Sequence, residues 1–223
     1  MGNNEILDIR NNLKDNRLSV FRGAREMSLH QPGTLDYDLS QEPLSPNETP
    51  LWFAMSATFG RSMRAKERLE QLGIANYVPM RYEVAAGSKG RQAKRLIPAI
   101  NNLIFVRTTR AIIQSAKQQI DWLQYLTQHE SGRHLPIIVP DRQMEQFILV
   151  TQNRLEDIAY LTPDQIACCK GHRVRIIGGP FHNVEGLVLR TRGSGRKKLI
   201  VDIPNIIAAR TEIADYDLIE LLS

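Results

Sequence analysis

The stretch of sequence that decides the fold of the C-terminal part runs from residue 170 to residue 186 and reads KGHRVRIIGGPFHNVEG. Residues 173–177 alternate between basic and apolar side chains before a second isoleucine, which is typical of a strand with one buried face. The Gly-Gly-Pro that follows predicts a turn in which Gly178 and Gly179 permit positive φ. Phe181 can fold back from this turn, so we expect it to fill a core.

Further short strands follow this turn. Gly186 begins one of them and predicts a close approach of two backbones. The remaining strand patterns lie at residues 186–190, 199–203, 206–213 and 217–222. About five short strands with glycine turns favour closure into a small barrel, because closure removes exposed strand edges. We therefore predict a β-barrel domain over residues 167–223. Its local propensities oppose refolding into helices.

The preceding part of the chain alternates between strand and helix patterns. The predicted elements are a strand at 51–56, a helix at 61–72 closed by Gly73, strands at 76–84 and 96–108 joined by a basic loop at 85–94, a helix at 111–120 capped by Thr109, a strand at 122–126, an extended piece at 136–140 and a helix at 141–154. This order predicts an α+β sandwich with a mostly antiparallel sheet over residues 51–154. Residues 155–166 are a predicted linker. Residues 1–50 are polar and rich in proline, so we expect a largely disordered extension.

The charge of the chain is distributed unevenly. The 223 residues carry a net charge of +5, but residues 1–50 hold five Lys or Arg against eight Asp or Glu, which is −3 and leaves +8 for the rest. A basic body indicates a polyanionic partner such as nucleic acid, or alternatively an ordinary solvated surface. The two cysteines, Cys168 and Cys169, are adjacent and indicate a reducing compartment. Without an apolar run of about 18 residues or a signal peptide, we expect no membrane span and a cytoplasmic protein.

Two sets of motifs carry a family resemblance. Residues 170–186 resemble the KOW motif, although the family usually has glycine where Asn183 stands. WFAM at 52–55, YVPM at 77–80 and LIFV at 103–106 resemble the NusG N-terminal domain in order and spacing. The resemblance covers about residues 51–222 and is nearest to the RfaH and UpxY types of specialised NusG paralogs. It implies a NusG N-terminal α/β sandwich followed by an SH3-like KOW β-barrel.

This resemblance implies a transcription elongation and antitermination factor without catalysis. Such a factor binds the clamp helices of the largest RNA polymerase subunit and suppresses pausing and termination in a long operon, such as one for capsular polysaccharide. Leu103 stands where the family usually has an exposed aromatic residue, so we expect Leu103 to be exposed as well. The implied polymerase contacts are Ile97, Ile100, Leu103, Phe105, Trp122 and Tyr125. Alternatively, most of these residues fill the core of the domain itself.

The first helix and three other places indicate nucleic-acid binding. Arg61, Arg64 and Arg68 fall within about 60° of one another on a helix, beside a core stripe of Ala65, Leu69 and Leu72. In relatives this face meets the non-template DNA strand of the transcription bubble. The candidate contacts are Thr58, Arg61, Arg64, Arg68, Lys89, Arg91, Arg190, Arg192, Arg196, Lys197 and Lys198. Phe59 can stack on a base or merely staple the helix. The alternative throughout is a solvated basic surface.

Other function classes lack support in the sequence. We find no nucleophile elbow, phosphate loop or paired carboxylates, and expect neither an enzyme nor a cofactor. Cys168, Cys169, His172 and His182 lack the spacing of a zinc site. The alternative function is a KOW-type RNA- or ribosome-binding protein that does not bind polymerase. For the barrel the resemblance implies ribosomal protein S-ten or the termination factor Rho as partner. We expect a monomer.

Overall fold

The computed structural model of the chain describes residues 49–86, 92–153, 157–190, 197–213 and 219–222. The elements of the first part are β1 (Leu51–Ala57), α1 (Ser62–Gln71), β2 (Ala75–Tyr77), β3 (Met80–Ala86), β4 (Gln92–Pro98), β5 (Leu103–Thr108), α2 (Arg110–Gln119), β6 (Leu123–Tyr125), β7 (Thr127–Glu130), β8 (Arg133–Pro136) and β9 (Ile138–Val139). They continue with α3 (Asp141–Asn153), β10 (Ala159–Leu161), α4 (Pro163–Ala167), β11 (His172–Ile176), a 3-10 turn (Gly179–Phe181), β12 (Glu185–Arg190), β13 (Lys197–Ile203), β14 (Ile207–Ile213) and β15 (Ile219–Leu221). The predicted α+β class with antiparallel sheets is confirmed. The predicted disordered extension lies outside the described residues apart from residues 49 and 50.

The chain divides into two compact units. The first contains the residues up to Tyr77 together with Ile104–Ile138, and the second contains Val78–Leu103 together with the residues from Val139 onward. The predicted domain boundaries stay predictions, and the compact units divide the chain at other positions. Among the described helices, none has the length and apolar content needed to cross a bilayer.

The first unit is built on a sheet with strand β1 at its centre. The order is β2-β5-β1-β6, and β9 also pairs with β1. The four consecutive residues from Trp52 to Met55 are buried. Because successive strand residues point to opposite faces, both faces of β1 are covered. The continuous apolar run therefore predicts this strand correctly.

Helix α1 packs against β1 and β2 through a short apolar face. Ala65 and Leu69 are fully buried, as predicted, and Ser62 is buried with them. The prediction that Leu72 extends this face is wrong, because Leu72 caps the helix and is 42% exposed. Gly73 then takes a φ of +69°, where glycine is favoured, and turns the chain so that Ile74 is buried instead.

The two long strands predicted at 76–84 and 96–108 are each divided in two. Proline explains both breaks, since it has no N–H for a ladder hydrogen bond. Pro79 follows β2, and Pro98 ends β4. Across this point the carbonyl of Pro79 accepts a hydrogen bond of 2.7 Å from the N–H of Ala99. As a result β3 pairs only with β4, as a separate two-stranded hairpin, among the described strands.

The second unit contains a six-stranded antiparallel sheet in the order β10-β14-β13-β12-β11-β15. It adds β10 to the five strands that the sequence predicts. Strand β10 and the short helix α4 lie in the predicted linker, where Thr162 and Gln165 form a capping box and Pro163 occupies the first helical turn. The described strands form an open order with β10 and β15 at its ends, so barrel closure stays a prediction.

The turn between β11 and β12 has the conformation that its sequence motif predicts. Phe181 is fully buried, as predicted. Gly179 has a φ of +72° and Asn183 a φ of +65°, so asparagine takes the left-handed conformation that the motif requires. Gly178 does not use the positive φ that glycine permits, since its φ is −137°. Its backbone is extended, and another residue can adopt it.

Helix α3 belongs to the second unit and packs against β13 and β14. Its buried residues include Met144, Phe147 and Ile148. The rings of Phe147 and Tyr160 have centroids 6.5 Å apart. Gln146 donates a hydrogen bond of 3.1 Å from its Nε2 to the carbonyl of Asn183. The helix therefore shares a core with the C-terminal sheet.

A candidate nucleic-acid interface

The turn between β1 and α1 presents an exposed aromatic ring. Phe59 is 87% exposed and has a φ of +61°. Positive φ in a bulky residue is an outlier that costs on the order of 1–3 kcal/mol and requires support from its surroundings. Thr58 supplies support, since its N–H and its hydroxyl donate to the carbonyl of Trp122 at 3.0 and 3.2 Å. The turn is thus fixed to the start of β6.

Arg61 lies between two aromatic rings at this turn. Its guanidinium carbon is 5.2 Å from the centroid of Phe59 and 5.6 Å from the centroid of Trp122. Each distance is within the range of a cation–π contact, worth about 0.5–1 kcal/mol at an exposed site. We call Phe59, Arg61 and Trp122 the aromatic platform. It combines a positive charge with a ring face that is open to solvent.

The other arginines of α1 extend the positive charge along the helix. Arg64 and Arg68 are exposed, whereas Arg61 is half-buried at the N-cap. Arg68 donates a hydrogen bond of 3.2 Å to Gln71. The sequence predicts a row of three guanidiniums on one helix face. In the structure Arg64 and Arg68 are exposed, whereas Arg61 contacts the two rings of the aromatic platform.

The implied polymerase contacts fall into buried and accessible residues. Leu103 is 3% exposed, so the expectation that it lies exposed is wrong, and Phe105 is fully buried opposite Tyr77 in the β2–β5 ladder. Strand β5 has four consecutive buried residues, which explains both. Ile97 and Ile100 are half-buried in the second unit.

Trp122 and Tyr125 are half-buried and lie in the first unit. The ring of Tyr125 packs at 5.7 Å from the ring of Phe53. The Lys117 ammonium is 4.2 Å from the Tyr125 centroid. Partial burial lowers the pKa of Lys117. These two aromatic residues keep accessible surface near cationic side chains.

The remaining predicted basic contacts are only partly within the described residues. Lys89, Arg91, Arg192, Arg196 and the side chain of Arg190 lie outside them. Lys197 and Lys198 begin β13 and are half-buried, and Lys198 is directly opposite Glu212 of β14. Opposite charges across a ladder attract each other, so Glu212 offsets the charge of Lys198.

A network of four charged groups links α3 to the C-terminal sheet. Glu185 accepts hydrogen bonds of 2.7 Å from Arg142 and from Arg175, and Arg175 also contacts Glu220 at 3.2 Å. The hydrogen bond from Arg175 lowers the pKa of Glu185, and Arg142 lowers it further. The same bond raises the pKa of Arg175. Arg142 and Arg175 are therefore paired with carboxylates within the protein.

We expect Glu185→Gln to remove part of the acid sensitivity of the fold. Because the folded-state pKa of Glu185 lies below its ordinary value of 4.5, its contribution is present above that pH and is lost as the pH falls through the folded-state pKa. The pairs are partly exposed, so the variant should lose only about 0.5–1 kcal/mol at pH 7. Urea unfolding between pH 7 and pH 3 measures the free energy of unfolding of the variant and of the wild type. The difference between the two should become smaller toward pH 3. Glu67→Gln, at an exposed carboxylate of α1, is the control. Parallel curves for Glu185→Gln and the wild type would contradict the prediction.

Sequence patterns do not reveal the association of Arg61 with Trp122. It depends on the pairing of β1 with β6, which brings residues far apart in the chain together. The local signal was limited to Phe59 followed by a glycine and an arginine. Among the described residues, no group of three or more His, Cys, Asp and Glu side chains could hold a metal ion.

Comparisons with known proteins find a match to one family model in this part of the chain. Residues 50–148 match the family model described as NusG, transcription termination factor nusG. No curated protein matches the sequence. Among solved structures, the chain is similar to one titled "Domain interaction in Thermotoga maritima NusG", with 15% identity, a TM-score of 0.38, and coverage of 78% of this chain and 98% of that chain.

Proposed function

We propose that this chain, which carries a NusG family domain at residues 50–148, is a non-catalytic transcription elongation and antitermination factor. In this proposal it binds RNA polymerase and the single-stranded non-template DNA of the transcription bubble. The observation that carries the DNA contact is the aromatic platform, in which Arg61 lies between Phe59 and Trp122.

The platform has the chemistry that single-stranded nucleic acid requires. An unpaired base offers a π-face, and stacking on an aromatic side chain is worth about 1–3 kcal/mol per base. Phe59 is exposed and its turn is held by Thr58, so little ordering is needed on binding. The exposed guanidiniums of Arg64 and Arg68 suit the phosphates on either side.

The polymerase contact rests on the family domain and on the accessible aromatic residues. Trp122 and Tyr125 are the types of residue that anchor protein interfaces. Ile97 and Ile100 are further candidates, while Leu103 and Phe105 are part of the core.

From the sequence resemblance we further propose the clamp helices as the docking site, the RfaH or UpxY subtype and a capsular polysaccharide operon. Ribosomal protein S-ten and Rho are the proposed alternatives for the C-terminal sheet, and the cytoplasm is the proposed location.

We expect Phe59→Ala to weaken binding to single-stranded DNA by about 5- to 150-fold, because it removes the stacking face. Fluorescence polarisation with a labelled single strand measures the affinity. Leu72→Ala is the matched control, since Leu72 is also an exposed apolar residue at the edge of α1. Wild-type affinity in Phe59→Ala would remove the platform from the interface.

A transcription assay separates the DNA contact from the wider function. On a long leader template the wild type should reduce pausing and termination by purified polymerase. Phe59→Ala should still bind polymerase in the absence of DNA, yet show a weaker effect on transcription. If the wild type binds no polymerase and leaves pausing and termination unchanged, the elongation function is wrong.

A further inference from the structure

The hairpin of β7 and β8 places two histidines opposite each other. His129 and His134 are direct cross-strand partners. Ser131 and Gly132 join the strands with φ of +48° and +80°, the pattern of a tight two-residue turn that fixes the register. Both histidines are exposed. The backbone therefore holds two accessible imidazoles on one face.

The separation of the two rings matches that of two ligands on one metal ion. Their centroids are 5.2 Å apart and the ring planes are inclined by 77°. With metal–nitrogen bonds of about 2.0–2.1 Å and ring centres roughly 1.2 Å behind the nitrogens, a tetrahedral angle places the centroids about 5.2 Å apart. A shared ion therefore fits the separation of the two rings, and rotation about the exposed side-chain bonds can turn one nitrogen of each edge-to-face ring toward it.

The charged side chains next to the two histidines lie on the other face of the hairpin. Glu130 and Arg133 form the next cross-strand pair toward the turn. Side chains alternate between faces along a strand, so this pair points to the opposite face. Thr127 and Pro136 share the face with the histidines, and neither introduces a competing positive charge.

We propose that His129 and His134 bind one divalent transition-metal ion, such as Cu²⁺, Ni²⁺ or Zn²⁺, with water at its remaining positions. Imidazole suits these ions, whereas Mg²⁺ prefers oxygen ligands. The ion clips β7 to β8 and adds positive charge to an exposed hairpin. The site shares no residue with the aromatic platform and would bind a metal ion instead of a nucleic-acid base.

Calorimetric titration of the full chain, purified without a histidine tag, tests this site. The background carries Cys168→Ser and Cys169→Ser, because thiolates also bind these ions. We expect one Ni²⁺ per chain, tighter binding of Cu²⁺ than of Ni²⁺ or Zn²⁺, and no binding of Mg²⁺. His129→Ala and His134→Ala should each weaken Ni²⁺ binding about tenfold or more, since loss even of an outer-shell partner has an effect of that size.

His172→Ala is the matched control, since His172 is also an exposed strand histidine outside the pair. It should bind Ni²⁺ like its parent, and far-ultraviolet circular dichroism should show each variant folded. Unchanged Ni²⁺ affinity in either hairpin variant would overturn the proposal. One Ni²⁺ per two chains would also overturn it, because the histidines would then bridge molecules instead of chelating within one hairpin.

Discussion

Leu103→Asp should unfold much of the protein or lower its melting temperature by roughly 6–20 °C, on a scale of about 2–4 °C per kcal/mol for a chain of this size. Leu103 is 3% exposed in a strand with four consecutive buried residues. A carboxylate there would be buried without a partner, which costs about 3–5 kcal/mol. That is a large fraction of a typical unfolding free energy of about 5–15 kcal/mol. Thermal unfolding followed by circular dichroism measures the effect.

Two control variants sharpen this prediction. Leu103→Met conserves volume and should cost less than about 1.5 kcal/mol. Leu72→Asp introduces the same charge at a leucine that is 42% exposed, so its melting temperature should stay near that of the wild type. A stable, fully folded Leu103→Asp protein would contradict the burial of Leu103 and would make Leu103 a candidate polymerase contact again.

Gly186→Ala is expected to lower the free energy of unfolding by about 2–3 kcal/mol through overpacking. A Cβ atom at residue 186 would overlap the backbone carbonyl of Ile200 and reach the Leu199 side chain at 2.9 Å. The carbonyl belongs to strand β13, which pairs with β12, so it cannot move without loss of the ladder. Urea unfolding measures the change in the C-terminal unit.

Gly178→Ala is the matched control for Gly186→Ala in the same motif. Nothing lies within 4 Å of a Cβ atom at residue 178. Its φ of −137° suits alanine, so the variant should be as stable as the wild type or about 0.4–1 kcal/mol more stable. Equal losses in both variants would show that the close approach at Gly186 has no special role.

Local patterns predict much of the fold because they act through neighbouring residues. The N-cap at Thr109 is confirmed, with the side chain accepting a hydrogen bond from the N–H of Ile112. The left-handed Asn183 and the buried Phe181 follow from the turn motif in the same way. Each of these predictions depends on contacts within a few residues of the chain.

Predictions that depend on long-range packing were less successful. The family position of Leu103 suggests exposure, but burial is decided by what covers β5 on both faces. The sequence indicates a basic face on α1, yet the partner of Arg61 is Trp122, which only the β1–β6 pairing brings near. The sequence does not reveal strand β10 within the predicted linker, because β10 is three residues long and its partner β14 comes from the far end of the chain.

The packing of α3 has a practical consequence for dissecting the protein. The family match ends at residue 148, inside this helix. Met144, Phe147 and Ile148 are buried in a unit that also contains β13 and β14. A shortened protein that ends directly after α3 would expose these side chains to water and invite aggregation. Fragments for crystallisation or limited proteolysis should therefore retain the C-terminal strands together with the helix.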